Sequence, residues 1–174
     1  ENGKAAKIYV DPSDWKGVIR AAKDLGDDIK KVTTVSTSVV EESNFNPKSI
    51  LIGTIGKSAI IDKLIAEKKI DVSPILNKWE SFIIQTVEDN LVIVGSDKRA
   101  TIFGIYDISE KIGVSPWYWW ADVPVKTSKE LFVKNGTYLQ ESPKVKYRGI
   151  FINDEWPSFG DWTHRKFGGF NSKM

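Results

Sequence analysis

The chain has 174 residues, a length that suits one domain of ordinary size. Lys and Arg number 25 against 23 Asp and Glu, a formal net charge of +2, and no basic stripe marks a nucleic-acid surface. With no Cys and one His, His164, disulfides and thiolate metal sites are excluded, and a His-based metal site or a Ser-His-Asp triad has little to draw on; the sequence implies no metal and no cofactor.

No apolar run approaches membrane-spanning length, so no membrane span is expected. The opening ENGKAAK lacks a charged-then-apolar signal pattern and fits a processed terminus as well as an arbitrary boundary. Seven Trp is many for this length. Buried Trp explains each one; clustered Trp and Tyr also suit sugars, whose apolar faces pack on flat rings.

Lys7 to Asp11 alternates like a short strand. Pro12-Ser13-Asp14 offers a helix start, and Trp15, Val18, Ile19 and Ala22 follow at helical spacing, with Gly26 as the predicted stop. Val32 to Val40, rich in Thr, Ser and Val, reads as a second strand, and a loop with Asn44, Asn46 and Pro47 follows. Ser49 to Gly53 is a continuous apolar run, the pattern of a strand buried on both faces. Gly56-Lys57-Ser58 opens a helix carrying Ile60, Ile61, Leu64 and Ile65. Trp79 to Val87 and Leu91 to Gly95 flank Glu88-Asp89-Asn90 and read as a hairpin. Arg99 to Ile112 is in helical register and closes at Gly113. The sum is two to three βα units and a hairpin: an α/β (α+β) fold, a mixed sheet with packed helices. Residues 114–142 read as a connector holding an aromatic knot, and Val145 to Asn153 as a fresh strand.

Four local patterns carry candidate chemistry. Gly53-Thr-Ile-Gly56-Lys57-Ser58 resembles a phosphate loop, but two residues stand between the first Gly and the Gly-Lys pair where four are needed to wrap a phosphate. It reads as a tight βα turn whose helix N-terminus could hold a stray anion. Gly95-Ser-Asp97 reads as a turn with Asp97 as helix cap. In Trp117-Tyr118-Trp119-Trp120, extended geometry would send Trp117 and Trp119 one way and Tyr118 and Trp120 the other, one pair packing on its own domain and the other facing a neighbouring domain or a sugar. Asn153-Asp154-Glu155 closes an apolar strand, the position where a (β/α)8 barrel holds its chemistry; a strand-end turn with Asp154 or Glu155 as a cap explains it equally. Beyond it Trp156, Phe159, Trp162, Phe167 and Phe170, with Gly168-Gly169, have the composition of a sugar-site loop rather than a helix.

These segments, GSDKRATIFGIYDISEKIGVSPWYWWADVPV, KYRGIFINDEWP, FGGFNSKM and the shorter IGTIGKS, together resemble glycoside hydrolase family 115, the xylan α-glucuronidases. The resemblance covers most of the chain from about Ile50 onward. It implies an N-terminal α/β domain over 1–142, similar to the small domain that precedes the barrel in family 20 hexosaminidases and family 67 α-glucuronidases. It implies the start of a truncated TIM-barrel catalytic domain over 143–174, with Lys146 to Asn153 as the first barrel strand. The implied activity is removal of α-1,2-linked glucuronic acid, or its 4-O-methyl form, from glucuronoxylan. Inverting hydrolysis of that kind needs a general acid and a second carboxylate that activates water. By the motif match Asp154 is the candidate carboxylate, catalytic or sugar-positioning, with Glu155 beside it; its partner, and the cations that would hold a uronate, would come from later segments. Asn153, Trp120, Trp156 and Trp162 are the implied sugar contacts. The implied partners are the polysaccharide and the rest of the catalytic chain; an unpaired apolar strand also leaves room for a dimer. The expected location is outside the cytoplasm. The alternative is a non-catalytic module that binds carbohydrate or docks a neighbouring domain through its Trp cluster.

Overall fold

The computed structural model describes residues 4–151, 153 and 155–171. The chain divides into two compact units, residues 1–143 and 144–174.

The first unit is built on a six-stranded sheet in the order β2-β1-β3-β5-β4-β6. The strands are β1 (Ile8–Val10), β2 (Val39–Glu41), β3 (Ile50–Thr54), β4 (Phe82–Val87), β5 (Asn90–Gly95) and β6 (Thr137–Gln140). β2, β1, β3 and β5 run parallel, and β4 is antiparallel to both β5 and β6. The expected mixed sheet and the β4–β5 hairpin are therefore present. Alternate residues of each strand serve opposite faces. Ile8, Val10, Ile50, Ile52 and Ile93 join Val18, Ala22, Leu25 and Ile105 of helices α1 (Lys16–Thr33) and α3 (Lys98–Ile112) in one core. Tyr9, Leu51, Ile83, Val92 and Val94 meet Ile60, Ile61 and Leu64 of α2 (Ala59–Ala66), with Ile70, Val72 and Ile75, in a second core on the other face. Coverage of both faces is why β3 and β5 are apolar runs instead of alternating ones.

Local chemistry sets most boundaries. Ser58 caps α2, accepting from the Ile61 amide, and Asp97 caps α3, accepting from the Ala100 amide at 2.8 Å, as its spacing predicts. Gly113 ends α3 at φ 118, a conformation favouring glycine.

Two expectations in this half are corrected. α1 runs through Gly26 and ends at Thr33, so residues 32 and 33 belong to the helix, and the second strand shrinks to Val39–Glu41. Gly26 is no stop because it packs against the strand: a Cβ there would stand 3.3 Å from Val39 Cγ2, so its bareness lets helix and sheet approach. The connector is also more ordered than read. Trp117 precedes a helical turn, α4 (Tyr118–Ala121), and β6 adds the edge strand beyond β4. Along the way the Lys126 amide donates to Gly113 O at 3.1 Å and the Ser128 amide to Val32 O at 2.9 Å, strapping the connector to the ends of α3 and α1.

In the second unit the one helix among the described residues is α5 (Phe159–Phe167). The strand expected over 145–153 does not form among the described residues, and Ile150, expected at its centre, is 83% exposed. A strand exists by virtue of its ladder, and no described strand offers this segment a partner. Ile152 lies outside the described residues. The aromatic segment expected to be a loop forms α5 instead: Phe159 and Trp162 fall at i and i+3 and stack at 5.3 Å, while Trp162 meets Phe167 edge-on at 5.3 Å. Gly168, at φ 77, ends it.

Candidate functional site

The parallel strands of the first unit deliver three turns to one edge of the sheet. The turn after β1 carries Asp11, Ser13, Asp14 and Trp15; the turn after β3 carries Gly56, Lys57 and Ser58; the turn after β5 carries Asp97 and Lys98. In open α/β sheets this edge, beside the point where the strand order reverses, is the usual ligand crevice. Here the reversal falls at β1, which lies between β2 and β3.

Asp11 is buried, and its carboxylate accepts from four groups. Oδ1 takes the Ser13 amide at 2.8 Å and the Ser13 hydroxyl at 2.5 Å; Oδ2 takes the Ser43 hydroxyl and the Ala59 amide, each at 2.9 Å. Burial pushes its proton affinity up, but these donors outweigh it and hold the carboxyl below the usual aspartate range. Asp14, also buried, accepts from the Thr54 amide at 2.7 Å and the Trp15 amide at 2.7 Å. For Asp14 desolvation wins over those bonds, with the Asp11 charge adding to it, and its carboxyl rises above the ordinary range.

This arrangement settles the phosphate-loop pattern. The Gly56 amide donates to Asp62 Oδ1, the Lys57 and Ser58 amides to Thr54 O, the Ala59 amide to Asp11 Oδ2 and the Ile61 amide to Ser58 Oγ. These five amides are spent on the protein's own acceptors, which favours the structural reading of the turn over anion binding.

Trp15 stands outside this network with 44% of its surface exposed. The Lys57 ammonium lies 4.9 Å and the Lys98 ammonium 5.8 Å from its ring centroid. No motif in the sequence links Trp15 with Lys57 and Lys98, because three turns separated by tens of residues meet only through the sheet.

The aromatic knot corrects a second expectation. A helical turn, not an extended strand, places Tyr118 to Ala121, and Trp117, Trp119 and Trp120 are all exposed, Trp117 by 59%. Tyr118 is half-buried, with the Lys31 ammonium 4.8 Å from its centroid. The knot follows the C-terminal end of α3, so it departs from the end of the sheet opposite to Trp15.

In the second unit Asp154 lies outside the described residues. Asn153 Oδ1 accepts from the Glu155 amide at 3.2 Å, an Asx turn that presents the exposed Glu155 at the surface. The Glu155 carbonyl accepts from the Ser158 amide at 3.0 Å and the Ser158 hydroxyl at 2.6 Å, closing the turn into α5. Trp156 is 73% exposed; Trp162 is half-buried against Phe159 and Phe167, with Lys166 5.2 Å above its ring. Asn153, Glu155 and Trp156 are thus neighbours in one turn, and Trp162 follows in α5, half-buried with part of its ring at the surface. Arg148 Nη1 donates to Val145 O at 2.7 Å. Among the described residues no group of three His, Asp or Glu is placed to hold a metal ion, and no helix is long and apolar enough to cross a membrane.

A doubly wound α/β domain joined to a unit in which a carboxylate turn leads into an aromatic helix defines the class of protein; comparison with known proteins gives the family. A sequence model described as Glycosyl hydrolase family 115 matches residues 140–174. Among solved structures, the chain matches "A novel family GH115 4-O-Methyl-alpha-glucuronidase, BtGH115A, with specificity for decorated arabinogalactans" with a TM-score of 0.81 and 36% identity, over 98% of this chain and 22% of that one. The chain belongs to glycoside hydrolase family 115. It spans 22% of the length of that relative. A structure of CpGH84D matches at a TM-score of 0.47 and 9% identity, over 62% of this chain and 17% of that one, and carries no weight. No curated protein sequence matches.

Proposed function

We propose that the chain is the N-terminal part of a glycoside hydrolase that removes α-1,2-linked glucuronic acid, or its 4-O-methyl form, from xylan with inversion. The observation that carries this reading is 36% identity over 98% of the chain to a protein described as a 4-O-methyl-α-glucuronidase. Asp154 supplies a carboxylate to the reaction or positions the sugar, Glu155 flanks it, and Asn153, Trp156, Trp162 and Trp120 contact sugar. An inverting pair stands about 6.5–9.5 Å apart to admit the attacking water, and a single carboxylate cannot serve as acid and base at once. The 174-residue chain is therefore inactive by itself, and the second carboxylate comes from a longer protein. Membership of a family that acts on polysaccharides supports a location outside the cytoplasm for that protein.

The backbone that carries the glucuronic acid has a second reading. BtGH115A is described as specific for decorated arabinogalactans, which supports a galactan in place of xylan. The alternative function, a module that only binds carbohydrate or docks a neighbouring domain, draws support from the exposed Trp117, Trp119 and Trp120.

The test is release of glucuronic acid from glucuronoxylan and from a decorated arabinogalactan, by the full-length protein and by the 174-residue chain side by side. Release by the full-length protein alone supports the hydrolase reading, and the better substrate names the backbone. No release from either polymer, with sugar binding by the chain, selects the module.

A further inference from the structure

We propose that Trp15, Lys57 and Lys98 form a second carbohydrate subsite, on the ligand edge of the α/β domain, that takes a uronate-bearing sugar. The inference rests on the proposed function only for the choice of sugar; the site itself rests on four observations.

First, the three side chains come from the three turns that follow β1, β3 and β5, at the edge where doubly wound sheets bind ligands. Second, Trp15 is exposed although Trp is a costly residue to leave in water, and both ammonium groups lie within 6 Å of its ring centroid, at 4.9 and 5.8 Å. Third, among the described residues neither Lys57 nor Lys98 has a carboxylate within ion-pair distance, whereas the adjacent Arg99 is committed to Glu80 at 2.9 Å. Fourth, the platform is held in place. The Ala59 amide donates to Asp11 Oδ2 at 2.9 Å and the Thr54 amide to Asp14 Oδ2 at 2.7 Å, so the first and second turns are tied together before any ligand arrives.

The chemistry then selects the ligand. Two cations that have no carboxylate partner among the described residues call for an anion, and a flat apolar ring calls for a ligand with an apolar face. A phosphate would look to the helix N-terminal amides, but the Ala59 and Ile61 amides of α2 are taken by Asp11 and Ser58, and that of Ala100 in α3 by Asp97. A uronic acid in an oligosaccharide meets both demands: its carboxylate draws the Lys57 and Lys98 ammonium groups from the ring, and its pyranose face takes their place on the indole. Asp11 and Asp14 do not oppose it, because each carboxylate is turned inward and occupied by donors.

Titration of the 174-residue chain, followed by the indole N–H resonances, tests this. The probes are a glucuronic-acid-bearing xylo-oligosaccharide, the same oligosaccharide without the uronate, and inorganic phosphate. The Trp15 resonance is assigned by its loss in Trp15→Phe. The expected result is a shift of that resonance with the uronate-bearing sugar, weakened at least about tenfold in the Lys57→Gln/Lys98→Gln double variant and by added salt. The double variant changes two exposed side chains, so it keeps the fold. An equal response to the neutral sugar or to phosphate, an unmoved Trp15 resonance, or full affinity in the double variant overturns the site. Glucuronic acid release by the full-length protein is measured alongside. Release without binding here removes the subsite and leaves the activity; binding here without release removes the activity and leaves the subsite.

Discussion

Asp11 Oδ2 accepts the backbone amide of Ala59 at 2.9 Å, so a carboxylate from the end of β1 closes the N-terminus of α2, 48 residues away. The same carboxylate holds Ser13 and Ser43. One side chain therefore joins the first βα turn, the loop after β2 and the start of the helix on the far face of the sheet.

Replacing Asp11 by Asn keeps the shape but leaves a poorer acceptor set against four donors. The expected loss is about 1–3 kcal/mol, the usual cost of unsatisfying a buried hydrogen-bonded group. A shift of the urea midpoint to lower concentration, with an unchanged slope, is the measurement; an unchanged midpoint would show that the network is dispensable.

The two carboxylates of this turn give opposite pH dependences. Asp11 titrates in the folded protein below its unfolded value of about 3.8, so its contribution is full above that pH and is lost as pH falls through the lower folded value. Asp14 titrates above that value; its contribution is present below it and lost as pH rises through the raised folded value. Denaturation midpoints between mildly acidic pH and pH 2 should fall less in Asp11→Asn than in the parent, and Asp14→Asn should gain relative stability as pH rises toward neutrality. The reverse order of slopes would contradict the assigned directions.

Tyr106 on α3 donates its hydroxyl to Asp24 Oδ2 on α1 at 2.8 Å. Partial burial and then the Asp24 bond push the phenol up to about 12. The folded value lies above the unfolded one of about 10, so this contribution is complete below pH 10 and is lost as pH rises toward 12. Tyrosinate absorbance against pH should show a step near pH 12, and that step should vanish in Tyr106→Phe.

A Cβ on Gly95 would stand 2.3 Å from both the backbone nitrogen and Oγ1 of Thr101. Backbone cannot yield as a flexible side chain does, so Gly95→Ala should cost about 1–3 kcal/mol or prevent folding. Gly149→Ala, with nothing within 4 Å of the added carbon, is the control and should leave thermal unfolding unchanged.

For the proposed hydrolase, Asp154→Asn in the full-length protein should lower glucuronic acid release by about 10²–10⁴-fold, the range for losing an acid–base group. Glu155→Gln should cost less. A larger loss from Glu155→Gln would exchange the two roles.

Much of the first unit was legible in its residues. Ser49 to Gly53 and Leu91 to Gly95 are apolar without alternation, which marks strands covered on both faces, and Asp97 and Gly113 are caps that act within one turn of chain. Local signals of this kind need no partner to be read. The misreadings lie where a distant partner decides. Gly26 looks like a stop but is a contact with Val39; Phe159 to Phe167 looks like a sugar-site loop but stacks Phe159 on Trp162 as a helix. Residues 145–151 look like a strand, yet a strand requires a neighbour to complete its hydrogen bonds, and the described residues offer none.

The sequence by itself determined the class of fold and the family resemblance, and it put forward Asp154 and Glu155 as candidates, because periodicity, capping residues and contiguous motifs are properties of neighbours along the chain. Tertiary structure alone decided that the Gly56-Lys57-Ser58 turn has no amides left for phosphate, and that Trp15, Lys57 and Lys98 share one edge. Those facts depend on which strands the sheet sets side by side, and parallel pairing brings together turns that lie some 40 residues apart in the chain.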